Sequence, residues 1–278
     1  MKRILLTLDA SETGLAARHV AMNLAKEKGA HLTGVAILDT PWITAAQPEP
    51  LGGAAFKIHR DEAVISQSQS RIETLMRDFQ AAALEKGVSH DSIEVEGFPA
   101  TEIMRLAHSY DLVVMGQTTD FHFELDDDSD ITTKHVAREC ARPVLLVPTK
   151  PVAADSRKVL VAYDGSSPAS RALHLFLLLG FGKGREIEVL TINPDRKEAE
   201  EISTNAVKMC QSYGIKCSPH IVIADDNYAH TILQFAQQHA DAMIVMGAFS
   251  HNILREALFG SCTKSMLKEA TVPLFINH

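Results

Sequence analysis

The chain has 278 residues, of which 46% are hydrophobic and 22% are charged, a balance typical of a globular protein with one large domain or two of about 140 residues. Its 27 basic and 35 acidic residues give a formal net charge of −8. Because an acidic chain without a basic run offers a polyanion no favourable field, we expect no nucleic-acid partner and no binding to anionic membranes.

The chain begins with MKRILLTLDA, in which two basic residues precede a short apolar run that ends at Asp9. This run is too short for the core of a signal peptide, and no apolar stretch approaches the length of a membrane span. The cysteines form no CxxC pair, and they are Cys140, Cys210, Cys217 and Cys262. We therefore expect a cytoplasmic protein with reduced, buried thiols.

Three segments of the chain recur in the same order. The matched pairs are 3–25 with 158–180, 111–119 with 242–250, and 141–148 with 271–278. Such a repeat indicates duplication, with Asp9 matching Asp164. The proline-containing segment 148–157 is the expected linker, so we predict domains at 1–149 and 156–278.

Within each copy, short apolar runs alternate with longer helical patterns. In the second copy the predicted strands are 158–163, 186–192, 218–223, 241–246 and 272–276, and the predicted helices are 167–181, 196–213, 228–239 and 261–270. Runs such as MIVM are apolar at every position, which is typical of parallel strands covered by helices on both faces. The pattern predicts an α/β fold with two tandem, doubly wound, five-stranded parallel sheets of the Rossmann type.

The first copy carries an additional segment after its second strand. Residues 40–63 contain Pro41, Pro48 and Pro50 and precede the long helix, whereas the second copy passes from Asn193 into Arg196. We predict a loop here. A lid over a ligand, a contact between domains and a variable surface excursion all remain open.

In an open parallel sheet, ligands bind beyond the carboxyl ends of the strands. The first strand of copy two ends at Asp164, whose carboxylate could accept hydrogen bonds from a ribose or an adenine amino group. Alternatively, Asp164 caps the helix that follows. The fourth strand ends at Gly247, and we expect Gly260 and Ser261 to begin the last helix, where free N–H groups could bind a phosphate. His251 and Arg255 could add positive charge or lie on the surface.

These features resemble the universal stress protein family, whose nucleotide-binding members carry Gly-x2-Gly-x9-Gly-(Ser/Thr) after the fourth strand. The resemblance covers nearly the whole chain, once per half. Copy two keeps the spacing, with Ser250 where the family has its second glycine. The resemblance implies a fold like that of the adenine nucleotide alpha hydrolases, with the two domains forming a pseudo-dimer.

The resemblance also implies ATP, AMP or ADP as the ligand, with Mg²⁺ as a companion of the nucleotide. Adenosine would contact Asp164, Ile192 and Asn193. The phosphates would contact Gly247, Ser250, Gly260, Ser261 and Cys262. The candidate nucleotide-binding set also includes Ala162, Tyr163, Gly165, Ser166, Met246, His251 and Arg255.

Copy one lacks the phosphate pattern. Thr119 stands at the second glycine position, residues 129–131 replace the Gly-Ser pair, and the acidic residues Asp126, Asp127, Asp128 and Asp130 would repel a triphosphate. We predict that this half binds no nucleotide. The acidic loop, with His122 and Glu124, is interpreted as solvated and not as a metal site.

The function that these features favour is a nucleotide-binding regulatory protein of the stress response. A scaffold that works without nucleotide and a slow ATPase are the alternatives, because the chain has no GxxxxGK[ST] loop and no acid/base pair that its spacing identifies. The resemblance implies that the halves pair through VLLVP and PLFIN. It leaves open a homodimer of two chains.

Overall fold

The computed structural model describes residues 1–45, 54–122, 130–149, 157–239, 242–248 and 256–278. The N-terminal half consists of β1 (Arg3–Leu8), α1 (Glu12–Lys28), β2 (His31–Leu38), α2 (Thr40–Ile43), α3 (Ala54–Lys86), β3 (His90–Glu96), α4 (Pro99–Ala107), β4 (Leu112–Gly116), α5 (Asp130–Glu139) and β5 (Val144–Val147). The C-terminal half consists of β6 (Lys158–Ala162), α6 (Ser167–Leu178), β7 (Glu186–Ile192), α7 (Arg196–Ser212), β8 (Cys217–Val222), α8 (Tyr228–His239), β9 (Ile244–Gly247), α9 (Glu256–Glu269) and β10 (Leu274–Asn277). This alternation confirms the predicted α/β fold class.

The strands of the described residues form one sheet in the order β3-β2-β1-β4-β5-β10-β9-β6-β7-β8. Neighbouring strands within each half are parallel, so that each half is a five-stranded parallel sheet. The two central strands, β5 and β10, are antiparallel, with Leu145 opposite Phe275. The two halves therefore continue into each other through main-chain hydrogen bonds.

Helices cover both faces of this sheet. Helices α1, α3, α6 and α7 contribute to the core on one face, and α4, α5, α8 and α9 contribute to the core on the other. On the first face the buried ring of Phe275 packs edge-on against Phe176 and Phe181, with ring centroids 5.6 and 5.3 Å away. Each core contains residues of both halves, because the central strand pair makes the sheet continuous. Burial on both faces explains why a strand such as β4 is apolar throughout.

The prediction of a loop over residues 40–63 is wrong in part. Helix α2 forms directly after β2, and α3 already begins at Ala54, while residues 46–53 lie outside the described part of the chain. The first turns of α3 are stabilised by a 3.2 Å ion pair between Lys57 and Asp61, which are four residues apart. Lys57 also donates to the Thr44 carbonyl at 2.9 Å, which connects the start of α3 to the end of α2.

Candidate functional site

The first element of the site is the turn that connects β6 to α6. Asp164 is half-buried, and one of its carboxylate oxygens accepts a 3.0 Å hydrogen bond from the Ser166 N–H. Gly165 has a φ of 76°, which is a conformation that favours glycine. The N-cap of α6 is Ser166, whose hydroxyl accepts from the Ala169 N–H, so the alternative that Asp164 caps this helix is wrong. Among the described residues, no hydrogen bond to the second carboxylate oxygen of Asp164 is found.

The neighbouring strand ends at Ile192, and Asn193 follows it. The Asn193 side chain is buried, and its oxygen accepts a 2.8 Å hydrogen bond from the Asp195 N–H, just before α7. Its backbone N–H donates to the Val222 carbonyl at 3.1 Å. Both groups are therefore already used in the turn.

Three of the predicted site residues turn their side chains into the protein. Tyr163 is buried against the core on the α6 face, and burial raises the pKa of its hydroxyl, which is hydrogen-bonded to Ser170. Met246 is buried in the core on the opposite face, and Ala162 packs against that same core. These residues could contact a ligand only through their backbone.

Gly247, at the end of β9, has a packing role. A β-carbon at this position would lie 2.6 Å from the carbonyl carbon of Pro168 and would also collide with the backbone of Ala169, in the first turn of α6. Gly116 occupies the matching position in the other half, and a β-carbon there would lie 2.9 Å from the Gly14 nitrogen. Both halves therefore need glycine here so that a helix can approach the strand end.

The expected start of the last helix is wrong. Helix α9 begins at Glu256, so Gly260 and Ser261 lie inside it and not at its N-terminus. Alanine, leucine and glutamate favour a helix, and one glycine in the interior costs only about 1 kcal/mol, which lets EALF extend the helix backwards. Ser250, His251 and Arg255 lie outside the described residues.

One residue of α9 is close to the strand end of β6. Burial raises the pKa of the Cys262 thiol to about 11, and the negative charge of Asp164 contributes to this increase. Since a charge acts on a thiol in this way only at short range, Cys262 and Asp164 face the same region. The structure thus brings together Asp164 and part of α9.

The corresponding region of the N-terminal half is closed by its own chain. Asp9 is only 3% exposed, and one carboxylate oxygen accepts from the N–H groups of Ser11 at 2.8 Å and Asp120 at 3.4 Å. The carbonyl of Thr118 accepts hydrogen bonds from the hydroxyls of Ser11 and Thr13 at the start of α1. The segment 117–122, which we call the closing segment, therefore lies over the end of β1.

The two halves also differ at one position in the first turn of the helix that follows the aspartate. A β-carbon on Gly14 would lie 2.7 Å from a carboxylate oxygen of Asp9, so the buried position of Asp9 exists only because residue 14 is glycine. The matching residue in the C-terminal half is Ala169, which has the β-carbon that Gly14 lacks. Asp164, at the position that matches Asp9, is half-buried.

Burial also changes the ionisation of Asp9. It raises the pKa of the carboxyl from 3.8 to about 6, against the lowering effect of the hydrogen bonds from Ser11. The other carboxylate oxygen, Oδ2, is buried and has no hydrogen-bond partner among the described residues. No nucleotide can reach this carboxyl while the closing segment is in place.

The end of the closing segment is held by an aromatic contact that the sequence did not predict. The rings of His122 and Trp42 are stacked, with centroids 4.0 Å apart and planes 10° apart. His122 is also 2.9 Å from a carboxylate oxygen of Asp39, which caps α2. The His122 side chain is therefore engaged by Trp42 and Asp39 of its own half. The proximity of Trp42 to the turn after β2 was the only sequence signal for this contact.

The described part of the chain shows neither a metal site nor a membrane-spanning helix. Within it, no group of three or more His, Cys, Asp or Glu residues is arranged to hold a metal ion. The acidic residues Glu124, Asp126, Asp127 and Asp128 lie outside that part, and so does the side chain of Asp130. Among the described helices, none combines the length and apolarity that crossing a membrane requires.

Comparisons with known proteins agree with the repeat. The sequence profile of the universal stress protein family matches residues 1–148 and 156–278. The universal stress protein Slr1230 of Synechocystis sp. is 20% identical over 288 residues, which cover 99% of each chain. A crystal structure of a universal stress protein from Archaeoglobus fulgidus superposes with a TM-score of 0.71 and 19% identity, over 99% of this chain and 95% of that one.

A second Archaeoglobus fulgidus universal stress protein was solved in complex with dAMP. It is 21% identical and covers 44% of this chain and 98% of its own, with a TM-score of 0.36. The two profile matches together span nearly all of the chain, and the full-length superposition reproduces its fold. The chain therefore belongs to the universal stress protein family.

Proposed function

We propose that this member of the family consists of two domains, residues 1–149 and 156–278, and that the second binds ATP, ADP or AMP in the cytoplasm. The bound nucleotide would control conformation or partner choice during the stress response, without efficient turnover. One observation carries the proposal. Asp164 is half-buried and its second carboxylate oxygen has no hydrogen-bond partner among the described residues, whereas the matching Asp9 is buried under the closing segment.

The residues of the C-terminal half fit such a ligand. A carboxylate at a strand end can accept a hydrogen bond from an adenine amino group or a ribose hydroxyl, and the second oxygen of Asp164, which has no hydrogen-bond partner among the described residues, would serve this role. Cys262 faces the same region from α9, which carries the candidate phosphate residues Gly260 and Ser261. Mg²⁺ would accompany the phosphates, which themselves supply oxygen ligands.

Phosphate binding makes a structural demand on α9. The N–H groups of Gly260 and Ser261 are free to donate only if the helix begins near Gly260, because only the first four N–H groups of a helix have no internal partner. We therefore propose that nucleotide binding unwinds the first turn, 256–259. Glycine is the weakest helix former in this segment, so the break would occur there at low cost.

The alternative is a scaffold that works without nucleotide. It is favoured by the continuous helix through Gly260, which leaves those N–H groups bonded within the helix. Ser250 in place of a glycine points the same way.

Native mass spectrometry and calorimetry separate these functions. Freshly purified protein should release an adenine nucleotide, and titration with ATP and AMP, with and without Mg²⁺, should give one site per chain. Gly260→Glu should abolish binding, because a carboxylate would enter the phosphate position. Asp127→Ala in the other half is the matched control and should bind as the unchanged protein does. Two sites per chain would refute the asymmetry, and no site would support the scaffold.

A further inference from the structure

Two cysteines face each other at the end of the sheet opposite the candidate nucleotide site. Cys210 lies in the last turns of α7 and is fully buried, while Cys217 begins β8 and is half-buried. Cys217 packs against the core cluster to which Cys210 belongs, and each thiol affects the pKa of the other. The turn between them is tight, because the N–H groups of Tyr213 and Ile215 both donate to the Cys210 carbonyl at 3.1 Å.

The repeat shows that the fold does not require cysteine at either position. In the N-terminal half the same turn is closed by a hydrogen bond from Val88 to the Ala83 carbonyl, at 3.0 Å. Strand register places His90 where β8 has Cys217, since each pairs with the second residue of the neighbouring strand. Alanine and histidine thus occupy the positions of Cys210 and Cys217. A pair of cysteines at these two positions is a property of the C-terminal half alone.

The pair is accessible from one side. An open groove of about 960 Å³ runs along the start of β7 and β8, and Cys217 lines it together with Gly182, Arg185, Tyr213 and Lys216. Cys210 is fully buried in the core beneath this groove. A small molecule in the groove can therefore contact Cys217, whereas Cys210 is buried.

From this geometry we infer that Cys210 and Cys217 form a reversible disulfide when the chain meets a low-molecular-weight disulfide such as oxidised glutathione. The Cys217 thiol loses its proton and its sulfur attacks one sulfur of the small disulfide, which releases one small thiol and leaves a mixed disulfide. Cys210 then loses its proton and attacks the Cys217 sulfur, which releases the second small thiol. The protein dithiol is oxidised by two electrons, and the small disulfide is reduced to two thiols.

The ionisation of the pair supports this order. Burial raises the pKa of Cys210 to about 12, and the charge and hydrogen bond of Cys217 contribute to this increase. Burial also raises the pKa of Cys217, but the hydrogen bond from Cys210 lowers it. Cys217 is thus the sulfur that ionises first. Because a thiolate is the attacking species, the half-exposed residue reacts before the buried one.

Peptide mapping of the full-length protein tests the inference without any substitution. Trypsin cleaves after Lys208 and Lys216, so it separates Cys210 from Cys217, and the two peptides stay together only if a disulfide joins them. After incubation of the folded protein with oxidised glutathione, we expect this linked pair, two thiols lost of the four, and no retained glutathione.

Variants identify the order of attack. Cys140→Ala/Cys262→Ala keeps only the pair and should oxidise as the unchanged chain does. Cys210→Ala should retain glutathione on Cys217, and Cys217→Ala should leave Cys210 unreacted until the protein is unfolded in urea. The inference is overturned if the unchanged chain keeps glutathione on Cys217, if the linkage involves Cys140 or Cys262, or if the pair reacts only in urea.

Discussion

The side-chain amide of Gln117 donates a 2.6 Å hydrogen bond to the backbone carbonyl of Leu267, 150 residues away in the sequence. Gln117 is the first residue of the closing segment, and Leu267 lies in the last turn of α9. The carbonyls of a last helical turn have no partner within the helix, so Gln117 satisfies one of them. The bond connects the closed region of one half to the helix that carries the candidate phosphate residues of the other.

Replacement of Gln117 should therefore weaken the connection between the halves. Gln117→Ala leaves the buried Leu267 carbonyl without this donor, and we expect the free energy of unfolding in urea to fall by about 1–3 kcal/mol. Hydrogen exchange should become faster in the last turn of α9. Gln80→Ala is the matched control, because Gln80 is exposed and its amide donates to the side-chain hydroxyl of Ser92 at 2.6 Å, within the N-terminal half. Equal losses in both variants would show that the Gln117 bond contributes nothing specific.

The buried carboxyl of Asp9 should make stability depend on pH. Its pKa rises from 3.8 to about 6 on folding, so the folded state binds the proton more tightly than the unfolded state. The free energy of unfolding should then decrease by about 3 kcal/mol as the pH rises through this interval, since each unit of pKa corresponds to about 1.4 kcal/mol. Asp9→Asn cannot ionise and should lack this contribution.

The measurement is urea unfolding of both proteins between pH 4 and pH 7, in which titrations shared by the two chains cancel in the difference. We expect the difference between the unchanged chain and Asp9→Asn to favour the unchanged chain most at the acidic end. A difference that stays constant over this range would show that Asp9 titrates alike in both states.

Gly14 should keep the N-terminal half closed. Gly14→Ala places a β-carbon against the Asp9 carboxyl, and we expect the carboxyl to move and to disturb the closing segment, at a cost of about 1–3 kcal/mol. Trp42, the only tryptophan of the chain, is stacked on His122 at the end of this segment. Its fluorescence should therefore change.

The matched control is Ala169→Gly in the C-terminal half. It should leave the emission of Trp42 unchanged and should cost about 1 kcal/mol through the lower helix propensity of glycine. Unaltered Trp42 emission in Gly14→Ala would mean that the closing segment does not depend on the position of Asp9.

The periodic part of the fold was predictable from the sequence. Strand β7 (Glu186–Ile192) and helix α8 (Tyr228–His239) coincide with their predicted bounds, because apolar spacing and chain duplication act over short and repeated segments. The start of α9 was not predictable in this way, because Gly260, which was expected to begin the helix, is tolerated inside it. Helix propensity is a weak signal, and four residues of it were enough to move this boundary.

The contacts that distinguish the two halves could not be predicted from the sequence either. Thr13 and Thr118 meet across 105 residues, and the space for Asp9 depends on a missing β-carbon at Gly14. The packing role of Gly247 was likewise not predictable. The family pattern marks it for phosphate, whereas the structure shows a helix packed against it, and only coordinates could reveal that contact.

The antiparallel pair of β5 and β10 has a consequence for inheritance. An assembly of two identical chains receives every substitution twice, so a change that blocks one ligand cleft blocks both. Here two copies share one sheet within one polypeptide, and a substitution such as the one that separates Gly14 from Ala169 enters one copy alone. The covalent union thus lets the two copies diverge: the closing segment covers Asp9 in one copy, and the other copy carries Cys210 and Cys217.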